Sequence, residues 1–342
     1  MNRPIPRTRV MNGMQRVGTV LVVATLAAAC ANASTPEPSG QQTSSTSSTP
    51  STEPIPLDGH IILGRDTFYI GNADGSGLEE LADPSTYCCI ARISPDRTRI
   101  LTMPGTDQTG AVRGGTLTLD GSEFELLPRP DETLNLVPNL WSPDGTRIAF
   151  EGWDPSDPSR TGIYTARVDG TDLVRVTNSP GLPHDSPLDY SPDGTQIVFY
   201  RAVRAEPDFP IDLGGSLWVV NVDGSDAHEL DTGEVRPWWH ADWSPDGSTI
   251  LFDTERLQPT GAIWAIKPDG SDLKKVFEDP AGGFAVAATW SPDGGKIMFA
   301  LNPTNDTFVH NDNEIQAINA DGTGMTLVVG GSGYKYILDW WE

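Results

Sequence analysis

Cysteine is scarce in this chain of 342 residues: Cys30, Cys88 and Cys89 are the only three, and none stands in a C-x-x-C pair. That excludes a small disulfide-stapled fold and the usual zinc or redox spacings. Basic residues are few, with 23 Lys and Arg against 47 Asp and Glu and a formal net charge of −24. Such a balance argues against nucleic acid or an anionic membrane surface as partner. No helical periodicity is present after residue 30, which removes helical bundles and α/β folds from consideration. One apolar run exists, residues 17–29, and it is too short and too small in side chain to span a bilayer. The abundant residues are instead Gly (35) and Pro (29), as a chain made of tight turns requires.

Those turns recur. W-S-P-D-G-S-T-I-L-F at residues 243–252 has near-copies at 93–102, 141–150, 190–199 and 290–299, with prolines at 95, 143, 192, 245 and 292. The steps of 48, 49, 53 and 47 residues mark a repeat architecture. Ser-Pro-Asp-Gly suits a type I turn, with Pro setting φ at its second place and Gly free to take positive φ at its last. An aromatic precedes the turn and an I-x-F run follows it, which makes a hairpin. A second hairpin trails each copy around an Asp-Gly pair, at 74, 120, 169, 223, 269 and 321.

Two hairpins per unit of ~40–50 residues are the four strands of a β-propeller blade. The first unit, from His60, lacks its leading aromatic strand, while residues 336–342 match such a strand and Trp340 lies one repeat step beyond Trp290. The two fragments complete one another. The expected fold is an all-β, six-bladed propeller over residues 58–342, each blade of four antiparallel strands. A composite blade of N-terminal strands and the C-terminal strand closes the ring and leaves no free sheet edge.

Ahead of the repeats, Arg3, Arg7, Arg9 and Arg16 precede the apolar run, which ends Leu26-Ala-Ala-Ala-Cys30. Residues 1–29 read as a signal peptide, and the ending resembles the lipobox of bacterial lipoproteins, with Cys30 as the lipidated residue. Ala27 stands where that motif more often has a large aliphatic residue; simple secretion is the alternative. Residues 30–57 are Ser, Thr, Pro and Gln in the main. They read as a disordered tether with a reach of about 25–30 Å. An extracytoplasmic domain held to a membrane through its lipid only is the expected arrangement.

The paired W-S-P-D-G-x-x-I-x-F and D-G-[ST] motifs resemble the TolB-like β-propeller repeats, of the WD40-like kind, across residues 60–342. TolB has an additional N-terminal α/β domain that the short linker here cannot supply. Peptidases with related propellers carry a hydrolase domain with a G-x-S-x-G elbow, and this chain has no such elbow. The resemblance therefore implies a binding or scaffolding propeller, monomeric and without a cofactor.

One face of such a propeller, bearing the Ser-Pro-Asp-Gly and Asp-Gly turns, is the same in every blade. The opposite face carries loops that differ, at 151–161, 201–215, 253–261 and 301–313, against about 64–67 in the first unit. Variable loops on a constant scaffold place the site there. Six places before each aromatic stand Tyr87, Asn135, His184, Pro237, Phe284 and Tyr334, with Trp238, Trp239 and Tyr336 close by. We expect an aromatic collar around the mouth that stacks on a sugar or other flat ligand, with Arg236 and Lys335 as its cations. The competing reading packs these rings into the blades. His184, Asp185, His240 and His310 are the histidine-based candidates for a glycan lyase or hydrolase, although no nucleophile stands at a recognisable spacing. The donors of 301–314 lack calcium-loop spacing and read as a solvated loop. Cys88 and Cys89 read as two buried thiols rather than a strained vicinal disulfide.

Overall fold

The computed structural model describes residues 56–64, 67–82, 88–103, 114–179, 184–204, 212–254, 261–303, 313–333 and 335–342. Among them, twenty-four strands form six antiparallel four-stranded sheets, and there is no helix. Inner strands touch in cyclic order, so the sheets are blades around a central channel. The inner strands of blades two to six are Cys88–Ile93, Asn135–Trp141, His184–Tyr190, Pro237–Trp243 and Phe284–Trp290. Blade one is composite as expected: Tyr336–Trp341 is its inner strand, paired to His60–Gly64 with Trp340 opposite Ile61 and Ile62 opposite Ile70.

The core lies between blades rather than within a single layer. Six main apolar clusters each join two adjacent blades. This explains why the second strands read as continuous apolar runs. In blade four, Ile197 and Phe199 pack toward blade three while Val198 and Tyr200 pack toward blade five. A strand covered on both faces alternates between two cores, not between core and solvent.

The turns are built alike. In all five Ser-Pro-Asp copies the Ser hydroxyl donates to the Asp carboxylate at 2.5–2.7 Å. The same oxygen accepts the backbone N–H five positions on at 2.8–3.0 Å. These Ser hydroxyls are the main reason the five carboxyls sit below the ordinary Asp value.

Turns of one blade also meet the next. Gly145, Gly194, Gly247 and Gly294 lie over Pro95, Pro143, Pro192 and Pro245 of the preceding blade, where a Cβ would stand 3.5–3.9 Å away. Blade two has Arg97 in that place, at φ 60. The blade before it presents Glu342 there, 3.6 Å from the Arg97 guanidinium, and no proline. The Asp-Gly turns approach more closely. A Cβ on Gly75, Gly121 or Gly322 would fall 2.2–2.3 Å from the carbonyl of Val328, Leu81 or Val276 in the preceding outer strand, so only glycine fits.

One expected loop is not a loop. In blade three, Arg147–Asp154 and Asp157–Arg167 run on as strands through most of residues 151–161. Asp154 holds the tight connection by accepting from the Ser156 N–H and hydroxyl, and Arg160 braces it against Asp131 and Asp154 at 2.6 and 2.8 Å. The signal segment, the tether up to residue 55, Cys30, Tyr87, Tyr334, His310 and most of the 301–314 loop lie outside the described residues. Cys88 and Cys89 open the inner strand of blade two, and their side chains lie outside the described part as well.

Candidate functional site

Inner strands are irregular at one shared level. Their pairing with the second strand slips between Cys88 and Ala91, Pro138 and Leu140, Pro187 and Asp189, Pro237 and Ala241, and Val286 and Thr289. In blade one the slip falls opposite Ile62 and Leu63. Bulges of this kind turn side chains out of the sheet and re-aim them. Here they aim into the channel, at the end where the inner strands begin.

The result is a funnel of about 200 Å³ walled by all six inner strands. Ile90, Asn139, Leu188, His240, Ala287 and Leu338 come from the bulges, and Trp153, Trp239, Tyr336 and Met103 add the bulk above them. Ala287 takes φ 54, a conformation alanine seldom adopts, and its N–H donates to Asp253 Oδ2 of the neighbouring blade at 2.9 Å. Trp239 is wedged between rings, its centroid 4.8 Å from Tyr200 and 6.4 Å from His184.

Polar groups in the wall are largely committed to one another. Glu151 receives His184 Nε2 at 2.7 Å on one oxygen and the Ser186 hydroxyl at 2.8 Å on the other. The carboxylate therefore stands between His184 and Ser186, and neither activates the other. Asp185 is bound by both faces of the Arg201 fork at 2.7 and 2.8 Å rather than by His184. Two wall atoms have no partner among the described residues: Asn139 Oδ1 and His240 Nδ1. Burial, with the nearby Arg92 charge, lowers the His240 ring to about 3, so it is neutral at physiological pH.

Just beyond the bulges, the inner strands of three blades each carry a carboxylate, at Asp189, Asp242 and Asp339. Inner strands of different blades share no ladder, so their channel-facing N–H groups need other acceptors. Asp189 Oδ2 accepts from Trp243 N–H, Asp242 Oδ2 from Trp290 N–H and Asp339 Oδ2 from Ile93 N–H, each at 2.7 Å across a blade boundary. Arg92 adds a guanidinium that donates to Leu338 O. Burial raises all three carboxyls, Asp242 to about 6, and the Asp242 charge raises Asp189 further. No group of three or more His, Cys, Asp or Glu able to hold a metal is present among the described residues.

The expected collar is redrawn by these positions. The level six places before the aromatic does not face the channel: His184, Pro237 and Phe284 are buried there, and Phe284 packs into the core of blades six and one. The bulge reverses the strand's alternation, so the channel is lined two to four places before the aromatic. Trp239, His240 and Tyr336 line the funnel, whereas Trp238, half-buried, and the exposed Arg236 do not. Lys335 is no cation of the rim. It is buried, and its ammonium donates to the carbonyls of Asn313, Gly331, Ser332 and Gly333 at 2.6–3.3 Å. Glu151 and Trp153 fall within the 151–161 segment expected as a loop of the variable face, but they stand on the second strand, and the sequence singled out neither as a site residue.

No protein-family model matches the chain. A curated relative, the uncharacterized peptidase YuxL of Bacillus subtilis, is 27% identical over 121 residues, which is 33% of this chain and 16% of the relative. The match thus spans well under two thirds of that protein. Among solved structures, one assigned as TolB from Agrobacterium tumefaciens superposes with a TM-score of 0.60 at 20% identity, over 82% of this chain and 99% of the other. TolB from Acinetobacter baumannii gives 0.60 at 16% identity, over 81% and 65%. An oligogalacturonate lyase in complex with manganese gives 0.51 at 16%, over 81% and 73%. These likenesses establish the fold: a six-bladed propeller of the TolB-like kind.

Proposed function

We propose that this TolB-like propeller is an extracytoplasmic binding module, tethered through Cys30, that engages a protein partner or cell-envelope ligand over its variable-loop face without chemistry. The observation that carries this reading is the funnel itself, an apolar mouth set with Trp153, Trp239 and Tyr336. Rigid aromatic rings in a recess are the usual energetic centre of a protein interface. The chain's net charge of −24 favours a partner with a basic surface and makes its association rate salt-dependent.

A catalytic alternative, a lyase or hydrolase on glycans, rests on His184, His240 and the lyase among the structural neighbours. It is less well supported, because the His184 and Ser186 groups both end on Glu151.

The test is capture from solubilised membranes by the purified domain and by a Trp153→Ala/Trp239→Ala variant whose circular dichroism is unchanged. Loss of the captured partner in the variant supports the reading; equal capture by both overturns it. Cys30→Ala, expressed in a native host, should move the protein from the membrane to the soluble extracytoplasmic fraction. A variant that stays in the membrane would show that the tether is not the lipid.

A further inference from the structure

Two polar atoms of the funnel wall have no partner among the described residues. Asn139 Oδ1 and His240 Nδ1 both lie out of solvent without a hydrogen-bond partner, on the wall of one cavity. Buried polar atoms left unpaired cost free energy, so a fold retains them where something else completes them. Other wall groups are spoken for: Glu151 by His184 and Ser186, Ala287 N–H by Asp253. We propose that the funnel is a binding site for a small, neutral, planar ring compound of indole or phenol size, whose single N–H or O–H donates to Asn139 and whose edge meets His240. This goes beyond the partner-binding reading above and does not depend on it.

Size, shape and charge each narrow the ligand. A cavity of about 150 Å³ accommodates benzene, so the 200 Å³ here suits one substituted or fused ring and little more. All six inner strands wall it, which makes it a pit entered end-on and not a groove along which a peptide backbone could lie. The walls are chiefly Ile90, Met103, Val137, Leu188, Trp153 and Trp239. A sugar would leave most of its hydroxyls unpaired against such walls, and that desolvation opposes it. A carboxylate or phosphate would meet Arg92 in the wall, but that guanidinium already donates to Leu338 O, and Asp189, Asp242 and Asp339 stand next to the lining residues. An ammonium would find the wall carboxylate, Glu151, already bound on both oxygens. A neutral ring with one donor has none of these conflicts.

Isothermal titration of the folded domain with indole, benzofuran and glucose tests this. Benzofuran keeps the indole shape but replaces the donor by an acceptor. Indole should bind saturably and about five- to tenfold more tightly than benzofuran, the worth of one neutral hydrogen bond, and glucose should not bind. Asn139→Ala should abolish that preference while leaving benzofuran affinity within about twofold. If Asn139→Ala does not fold, the indole-to-benzofuran ratio in the unaltered protein decides alone. Equal affinity for the two rings, or no saturable binding by either up to millimolar concentration, overturns the proposal. So does tighter binding by a Trp-containing tripeptide than by indole, since that would show a site that reads peptide. A failure here with Trp239-dependent capture intact would leave the partner-binding reading standing.

Discussion

The two families of turn glycine share a backbone conformation but not a neighbourhood, and a pair of alanine substitutions separates the two effects. Gly247, in a Ser-Pro-Asp-Gly turn, has φ +73, and a Cβ there would lie 3.9 Å from Pro192. Gly322, in an Asp-Gly turn, has φ +85, and its Cβ would fall 2.3 Å from the carbonyl oxygen of Val276. An L-residue in the left-handed region costs about 1–2 kcal/mol. Part is returned, about 0.4–1 kcal/mol, because alanine restricts the unfolded chain more than glycine does. Gly247→Ala should therefore lose about 1 kcal/mol. Gly322→Ala carries the same cost and must in addition push an outer-strand carbonyl of blade five aside by about 1 Å. We expect it to lose at least about 2 kcal/mol more, in the range where single changes need a specific steric cause. Guanidinium denaturation at fixed pH measures both, and their difference cancels the common φ cost. Arg97 shows that a side chain is tolerated in a Ser-Pro-Asp turn when no proline faces it. If Gly322→Ala costs no more than Gly247→Ala, the close approach between blades is not what requires glycine in the Asp-Gly turns.

The three inner-strand carboxylates give the protein an unusual pH dependence. Asp242 is raised to about 6 by burial, so its protonated form is favoured in the folded state and its contribution is lost as pH rises through about 6. Asp242→Asn should leave stability at pH 4 nearly unchanged and raise it at pH 8 by up to roughly 3 kcal/mol, from a shift of about two pH units. A variant no more stable than the parent at pH 8 would show that Arg92 fully offsets the buried charge. For ring closure, Trp340→Ala should cost about 3–5 kcal/mol, since the indole is buried in the core joining blades one and six. Deleting residues 334–342 should abolish the single cooperative thermal transition, and unchanged melting of the truncated protein would refute the composite blade.

The fold was legible because the turn is both local and repeated: Ser, Pro, Asp and Gly specify one geometry with their own side chains, and five copies average out local noise. Closure was legible for the same reason, since Trp340 falls one repeat step after Trp290. The site was less so. A linear alignment ranks residues by distance from the aromatic, but a bulge changes which side of the strand a residue occupies without changing that count. Phe284 stands six places before its aromatic and Tyr336 four places before its own, the same side of an unbroken strand, yet the first is in the core and the second lines the funnel. Lys335 was misplaced because three of its four carbonyl acceptors come from the bend at 331–333 and the fourth from Asn313, a convergence the residue types do not dictate. The three inner-strand aspartates precede an aromatic at 189, 242 and 339, and that Asp-aromatic pair is the signal that would have found them.

The pairing of His60–Gly64 with Tyr336–Trp341 also sets a clock on folding. Trp340 donates its indole N–H to Asp58 O across 282 positions of sequence. Contacts within a blade can form as soon as its own hairpins exist, but this one spans nearly the whole propeller, and loop closure over that length is slow. Until it forms, Ile61, Ile62 and Leu63 lie on a bare strand edge that any other extended chain can occupy. A nascent propeller is thus exposed to strand exchange with its neighbours for as long as the last inner strand is missing, and dimers swapped through that strand are the misfolded product to look for after refolding at high concentration.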